Sequence, residues 1–321
     1  MHKWRVAAGT ATATAMLAFT FTITSGTIPA LADEAGVSFW LPGQYGSLAA
    51  VPHGPGWSLP VVYYHSSVDL SGSKPIEIGG EIAASIEADA NLAAAIPTYT
   101  FEEPVLGGEL ALSVAGFAGR IDVSGEVSVG PFSVSREDSV FGIGDLYPTA
   151  AIRWNNGTSN FMTYAAAGIP IGAYELGRLA NISSNHWSID GGVGYTYFDP
   201  SKGHEFSAVA GLTYNFENPE TDYQNGIDFH LDWGASQFLS EQTHVGLVGY
   251  FYQQLTGDSG DGAVLGDFKS SVISVGPQFG YFFPMNGEKA YLNLKGYYEF
   301  DAENRPSGWN GWVTLAVPLG G

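Results

Sequence analysis

The sequence predicts an all-β chain: a transmembrane antiparallel up-and-down β-barrel of about twelve strands, with a plug-like N-terminal segment ahead of it. Three observations predict this. Segments of alternating polar and apolar residues recur from about residue 57 to the C-terminus, and in a strand that alternation gives each face one character. The connections between the segments alternate between short and long. The chain also opens with the pattern of an export signal.

That opening reads MHKWR, then the apolar and small run VAAGTATATAMLAFTFTITSG, then Ala30-Leu31-Ala32. A basic start, an apolar stretch and an A-x-A site describe a secretory signal peptide over residues 1–32. An uncleaved anchor is the alternative, and the many Thr and Ser residues weigh against it. No later apolar run reaches the roughly 18 residues of a helical span. The formal net charge is −20 with no cysteine, so nucleic acid is excluded as a partner and disulfides do not hold the fold. Charged residues make up 14% of the chain, against about a quarter in soluble domains. Few charges beside many aromatics suit a surface that faces lipid.

Residues 33–56 are rich in Gly and Pro and do not alternate. They carry Phe39, Trp40, Leu41, Tyr45, Leu48 and Val51, an apolar surface costly to leave in water at about 25 cal/mol per Å². The expectation is a plug folded into the periplasmic mouth, with Phe39, Trp40 and Tyr45 as candidate solute-binding residues. A tail ordered on the outer rim is the alternative. The barrel then occupies 57–321, with predicted strands at 57–69, 84–100, 107–127, 141–155, 160–172, 185–199, 203–217, 225–239, 242–256, 268–283, 288–302 and 308–319. An even count is expected of bacterial outer-membrane barrels. The alanines of 84–100 would suit a helix, but Ile86, Ala88, Ala90 and Leu92 alternate with Glu87, Asp89 and Asn91.

The stretch GIDFHLDWGASQF shows the pattern at its clearest. Ile227, Phe229, Leu231 and Trp233 form an apolar face suited to lipid, and Asp228, His230 and Asp232 then face a lumen. Aromatics near strand ends, such as Trp187, Phe216, Phe300 and Trp309, fit interfacial girdles, with ordinary cross-strand pairs as the alternative. With both termini periplasmic, the inner connections EEPVLGG, NNGTS, DPSKG, SEQ and MNGEK are short. The outer ones GPFSVSREDSV, AYELGRLANISSN, ENPETDYQN and GDSGDGAVLGD are long, as outer-membrane barrels require.

The same alternation gives the candidate lumen-lining residues: Asp145, Arg153, Asp190, Glu205, Asp228, His230, Asp232, Asn293, Lys295 and Glu299. Acids dominate, which disfavours anionic solutes; the alternative is a satisfied polar network that fills the barrel. No catalytic residue, metal ligand set or cofactor is assigned. There is no G-x-S-x-G, H-E-x-x-H or P-loop, and His65 and His186 have only sequence-neighbouring serines. Asp258, Asp261 and Asp267 lack the EF-hand register and read as solvated acids.

Four stretches together, GVSFWLPGQYGSLAAVPHGPGW, PIGAYELGRLANISSNHWSID, FHLDWGASQF and LVGYFYQQLTGDSG, resemble one bacterial family across nearly the whole mature chain. It is the family described as putative MetA-pathway of phenol degradation, or SphA-like outer-membrane β-barrel proteins. The RLAN-x-x-x-N-x-W pattern from Arg178 to Trp187 and the SFWLPG start from Ser38 to Gly43 are the most specific parts. The resemblance implies a bacterial outer-membrane barrel linked to uptake of aromatic or other hydrophobic compounds. It also implies outer-membrane lipid, lipopolysaccharide, a small hydrophobic solute and the barrel-assembly machinery as partners. The aromatic N-terminus favours a channel or facilitated-uptake barrel, which would show a lateral gap where Pro277 or Pro148 breaks pairing. A non-conducting structural or adhesive barrel is the alternative.

Overall fold

The computed structural model describes residues 39–70, 76–78, 81–129, 132–266, 269–285 and 287–320. The expected signal peptide over residues 1–32, residues 33–38 and Asp267 lie outside them. The described chain forms fourteen strands: β1 (Gly56–Leu70), β2 (Ile76–Ile78), β3 (Glu81–Ala95), β4 (Thr98–Thr100), β5 (Glu109–Val129), β6 (Phe132–Asn156), β7 (Ser159–Gly168), β8 (Ser188–Asp199), β9 (His204–Asn215), β10 (Asp228–Phe238), β11 (Thr243–Gln254), β12 (Ser271–Met285), β13 (Glu288–Glu303) and β14 (Ser307–Gly320).

Twelve of these units make the barrel. β3 and β4 both pair with β1 and with β5, so they are one staved strand interrupted at Ile96-Pro97. Pro97 has no N–H to give the ladder, yet the register carries across it unchanged, from Val61↔Ala95 to Ser58↔Thr98. The short β2 pairs with β3 and stands outside the ring. Every other neighbour in the ring is a neighbour in sequence, and β1 pairs with β14 over Trp57↔Gly320 to Asp69↔Ser307 to close it. Closure leaves no open edge around the ring, which is what a bilayer demands of a sheet.

The predicted strands and turns match this ring, with one correction. Of the stretch GPFSVSREDSV, expected as a long outer connection, residues 132–140 belong to β6, which runs 25 residues and pairs with β5 up to Val129↔Phe132. The reason is a reversal of polarity along the wall. In the lower barrel the outward residues are apolar: Val61, Tyr63, Leu112, Phe141, Ile143, Val193, Leu294 and Val313 are all exposed. Above the row His65↔Asn91↔Arg120↔Phe141, the outward residues are Asp69, Glu87, Asp89, Asp122 and Glu137. The inward ones there are Ile86, Val123, Val127 and Val140, which are buried. This part of β3, β5 and β6 follows the rule of a soluble sheet, apolar in and polar out, and so stands above the lipid belt. Its inner face carries one apolar core; two others lie around Trp40 with Met162 and Tyr164, and around Val248 with Tyr250, Tyr252 and Tyr297.

Candidate functional site

In the lower barrel the inner wall is polar and the N-terminal segment is seated against it. All ten residues expected to line the lumen are buried on the inward face, from Asp228 and His230 at 0% exposure to Arg153 and Glu299 at 8%. The structure divides them into groups. Asp232 accepts hydrogen bonds from the Gly43 and Tyr45 N–H groups, both at 3.0 Å. Lys295 Nζ donates to the Gly43 carbonyl at 2.5 Å and the Gln44 carbonyl at 3.0 Å. Asp232 on β10 and Lys295 on β13, three strands along the ring, thus hold the two polar edges of a single turn. Gly43 adopts φ +89°, and a Cβ there would meet the Tyr297 ring at 2.9 Å; only glycine fits.

Glu205 accepts from the Leu48 N–H at 2.9 Å and from the Ser47 hydroxyl. Arg153 Nε donates to the Ala49 carbonyl at 3.4 Å. Asp190, His230 and Thr213 form a second buried group, with His230 Nε2 2.9 Å and Thr213 Oγ1 2.6 Å from Asp190 Oδ2. Trp40 lies flat on His230, ring centroids 3.7 Å apart and planes 12° apart, and stacks also on Tyr45 and Tyr164 at 5.7 and 5.8 Å. Phe39 packs on Tyr147 at 5.3 Å. The three candidate solute-binding aromatics are therefore brought together, with Trp40 itself 3% exposed. Burial raises the Tyr45 phenol above its ordinary pKa.

The remaining candidates sit apart from the segment. Asp228 joins Asn215 and Tyr252, Glu299 takes the Tyr250 hydroxyl at 2.6 Å, and Asn293 donates to the Phe279 carbonyl. Asp145 serves the upper loop, accepting from Gly172 N–H and Ser184. Asp258 is not a solvated acid: it is 5% exposed and accepts from Tyr223, Gly226 and Gln254. Sequence reasoning missed Glu109, whose carboxylate takes the His53 and Gly54 N–H groups at 2.8 and 2.9 Å. It also missed Gln278, which donates to Ser47 Oγ at 2.7 Å. Both sit on the inward parity of their strands, which is the one signal that could have found them.

Outside the wall, a groove of about 730 Å³ runs over β12, β13, β14 and β1. Its floor is the outward row Pro277, Gly296 and Gly311, residues without bulky side chains, and Tyr63, Phe279, Leu294, Trp309 and Val313 wall it. Beneath it the β12–β13 ladder runs to Val275↔Tyr298 and resumes at Gln278↔Lys295, because Pro277 has no N–H to give. Gln278 and Lys295, two of the inner residues that grip the N-terminal segment, line the groove as well. Pro148 makes no comparable gap, since Val114↔Pro148 continues the β5–β6 ladder.

A sequence model of the family described as "Putative MetA-pathway of phenol degradation" matches residues 72–315. Among solved structures, the COG4313 outer membrane channel from Pseudomonas putida F1 is similar at TM-score 0.65 and 15% identity, over 86% of this chain and 98% of that one. The transport unit of the autotransporter AIDA-I from Escherichia coli is similar at TM-score 0.43 and 11% identity, over 89% and 95%. No curated protein matches the sequence. The closed barrel with its apolar outer belt is a bacterial outer-membrane fold.

Proposed function

Since the chain belongs to the family described as putative MetA-pathway of phenol degradation, we propose that it is an outer-membrane channel for facilitated uptake of small hydrophobic, aromatic compounds, plugged by residues 33–56. One observation carries this reading. The lipid-facing groove, the interruption of the β12–β13 ladder and two of the side chains that grip the N-terminal segment, Gln278 and Lys295, all meet at one place. A solute dissolved in the outer leaflet would find an aromatic groove there, and the β12–β13 ladder behind it is interrupted. The aromatics Phe39, Trp40 and Tyr45 then offer it stacking surfaces inside.

The dense inner hydrogen bonding favours a second reading, a barrel filled by its own side chains that conducts nothing. Planar-bilayer conductance of the refolded mature protein, with and without residues 33–56, separates the two. Conductance that appears or rises on truncation supports the plugged channel. Silence in both forms, together with no uptake of toluene or phenol into proteoliposomes, would leave the structural barrel.

A further inference from the structure

The external mouth carries an arrangement unrelated to the N-terminal segment. Above the lipid belt, β3, β5 and β6 present Ile86, Val123, Val127 and Val140 inward, with Leu92, Phe117 and Ile121 beside them. The connection from Ile169 to Trp187 folds into this cup. Leu179, Ala180 and Ile182 cover its floor at 2%, 0% and 6% exposure.

Two carboxylates on β6 hold the connection in place. Asp138 receives Arg178 Nε and Nη2 at 3.1 and 2.7 Å and the Ala180 N–H at 3.1 Å. Asp145 receives the Gly172 N–H at 3.0 Å and the Ser184 N–H and hydroxyl at 3.0 and 3.1 Å. The loop is braced within itself: the Asn181 carboxamide bonds both backbone groups of Glu175, and Ile182 and Ser183 donate to the Ala173 carbonyl. Its backbone ties to β6 are few, the Leu146–Ile169 bridge and Ala173 N–H to Ile143. The piece is thus braced in itself and held at its rim by the partly exposed Arg178–Asp138 pair and by the buried Asp145, over a floor that water does not wet.

We propose that residues 172–184 form a displaceable lid and that the apolar cup beneath is a capture site for hydrophobic solutes arriving from outside. The proposal rests on the reading of the barrel as a route for such solutes. An apolar solute competes for the same surface that Leu179 and Ile182 occupy, whereas a polar one gains nothing there. The apolar floor offers a charged group no partner, so neutral aromatic or aliphatic molecules are the class selected.

The chain has no cysteine, so Val140→Cys on the cup floor reports alone. The full mature protein in liposomes would be labelled with N-phenylmaleimide, with and without the unlatching change Arg178→Ala. Ser184→Ala serves as a second unlatching variant should the first not fold. The expected results are labelling about tenfold faster on unlatching, since charge-assisted bonds close the lid, and slowing by toluene but not by glycerol. Labelling of a Ser124→Cys control on the outer face should ignore both. An unchanged rate on unlatching would overturn the lid, and an exposed cysteine that toluene fails to protect would overturn the capture site. Failure of the uptake reading shows elsewhere, as silent bilayers and no solute flux, whatever the cysteine does.

Discussion

Asp232 sets the position of the N-terminal segment through two N–H groups 187 and 189 residues away in sequence. Replacing it with Ala leaves both donors buried without a partner, at about 1–3 kcal/mol each. The expected outcome is proteolytic nicking between residues 39 and 55 while the barrel keeps its heat-modifiable gel mobility. Gly296 tests the outer side of the wall. A Cβ there meets nothing within 4 Å, so Gly296→Leu should fold normally, fill the groove and reduce uptake of toluene into proteoliposomes. Uptake at the wild-type rate would remove the groove from the route. At this scale the sequence spoke clearly about which side chains turn inward, since Asp228, His230 and Asp232 follow from period two alone. It was silent about partners. Nothing local says that Trp40 seats on His230 or that Glu109 takes two N–H groups near His53, because such pairings depend on chain closure.

In the β5–β6 hairpin, β5 was legible along nearly its whole length, but β6 only in its lower half. Ser, Arg, Glu and Asp in FSVSREDSV are residues of turns and exposed surfaces, and the template of apolar-out strands has no place for them. Above the bilayer the template inverts, and the same letters describe a strand with its acids in water. The RLAN stretch was legible as a motif but not as a cover, for Leu179 and Ile182 look like any loop apolar residues until the cup beneath them exists. The latch makes a pH prediction. The Arg178 guanidinium holds the Asp138 carboxyl down at about 2, below the roughly 3.9 of a free aspartate. A depressed carboxylate contributes stability that is fully present above the free value and is lost as pH falls through the depressed one. Pepsin cleavage within 172–184 should therefore rise as pH drops from 4 toward 2 in the wild type. In Asp138→Asn it should already be high at pH 4. Equal cleavage of the two proteins at pH 4 would show that the pair does not hold the loop.

Across the whole molecule, contacts pass from each strand to its sequence neighbour, apart from the joint of β1 with β14. The N-terminal segment adds to this ring but does not build it. A chain lacking residues 33–56 is expected to close and to shift on heating in gels like the parent, with a lower urea midpoint from the lost packing of Trp40. Failure to close would make the segment part of the folding core. The overall architecture was readable because a barrel repeats one simple signal twelve times, so that single ambiguous strands do not matter. The staving at Ile96-Pro97 and the height of β6 were not, since neither repeats.

The seam has a further consequence. Hairpins can zip in order as the chain is delivered, but β1 must wait for β14, the longest loop closure in the molecule. The groove over β12, β13, β14 and β1 adjoins that late weld. A substitution at Gly311, which pairs with His65 across that weld, thus acts at two moments in the protein's life. It alters how the cylinder is sealed during biogenesis, and afterwards how readily its flank yields.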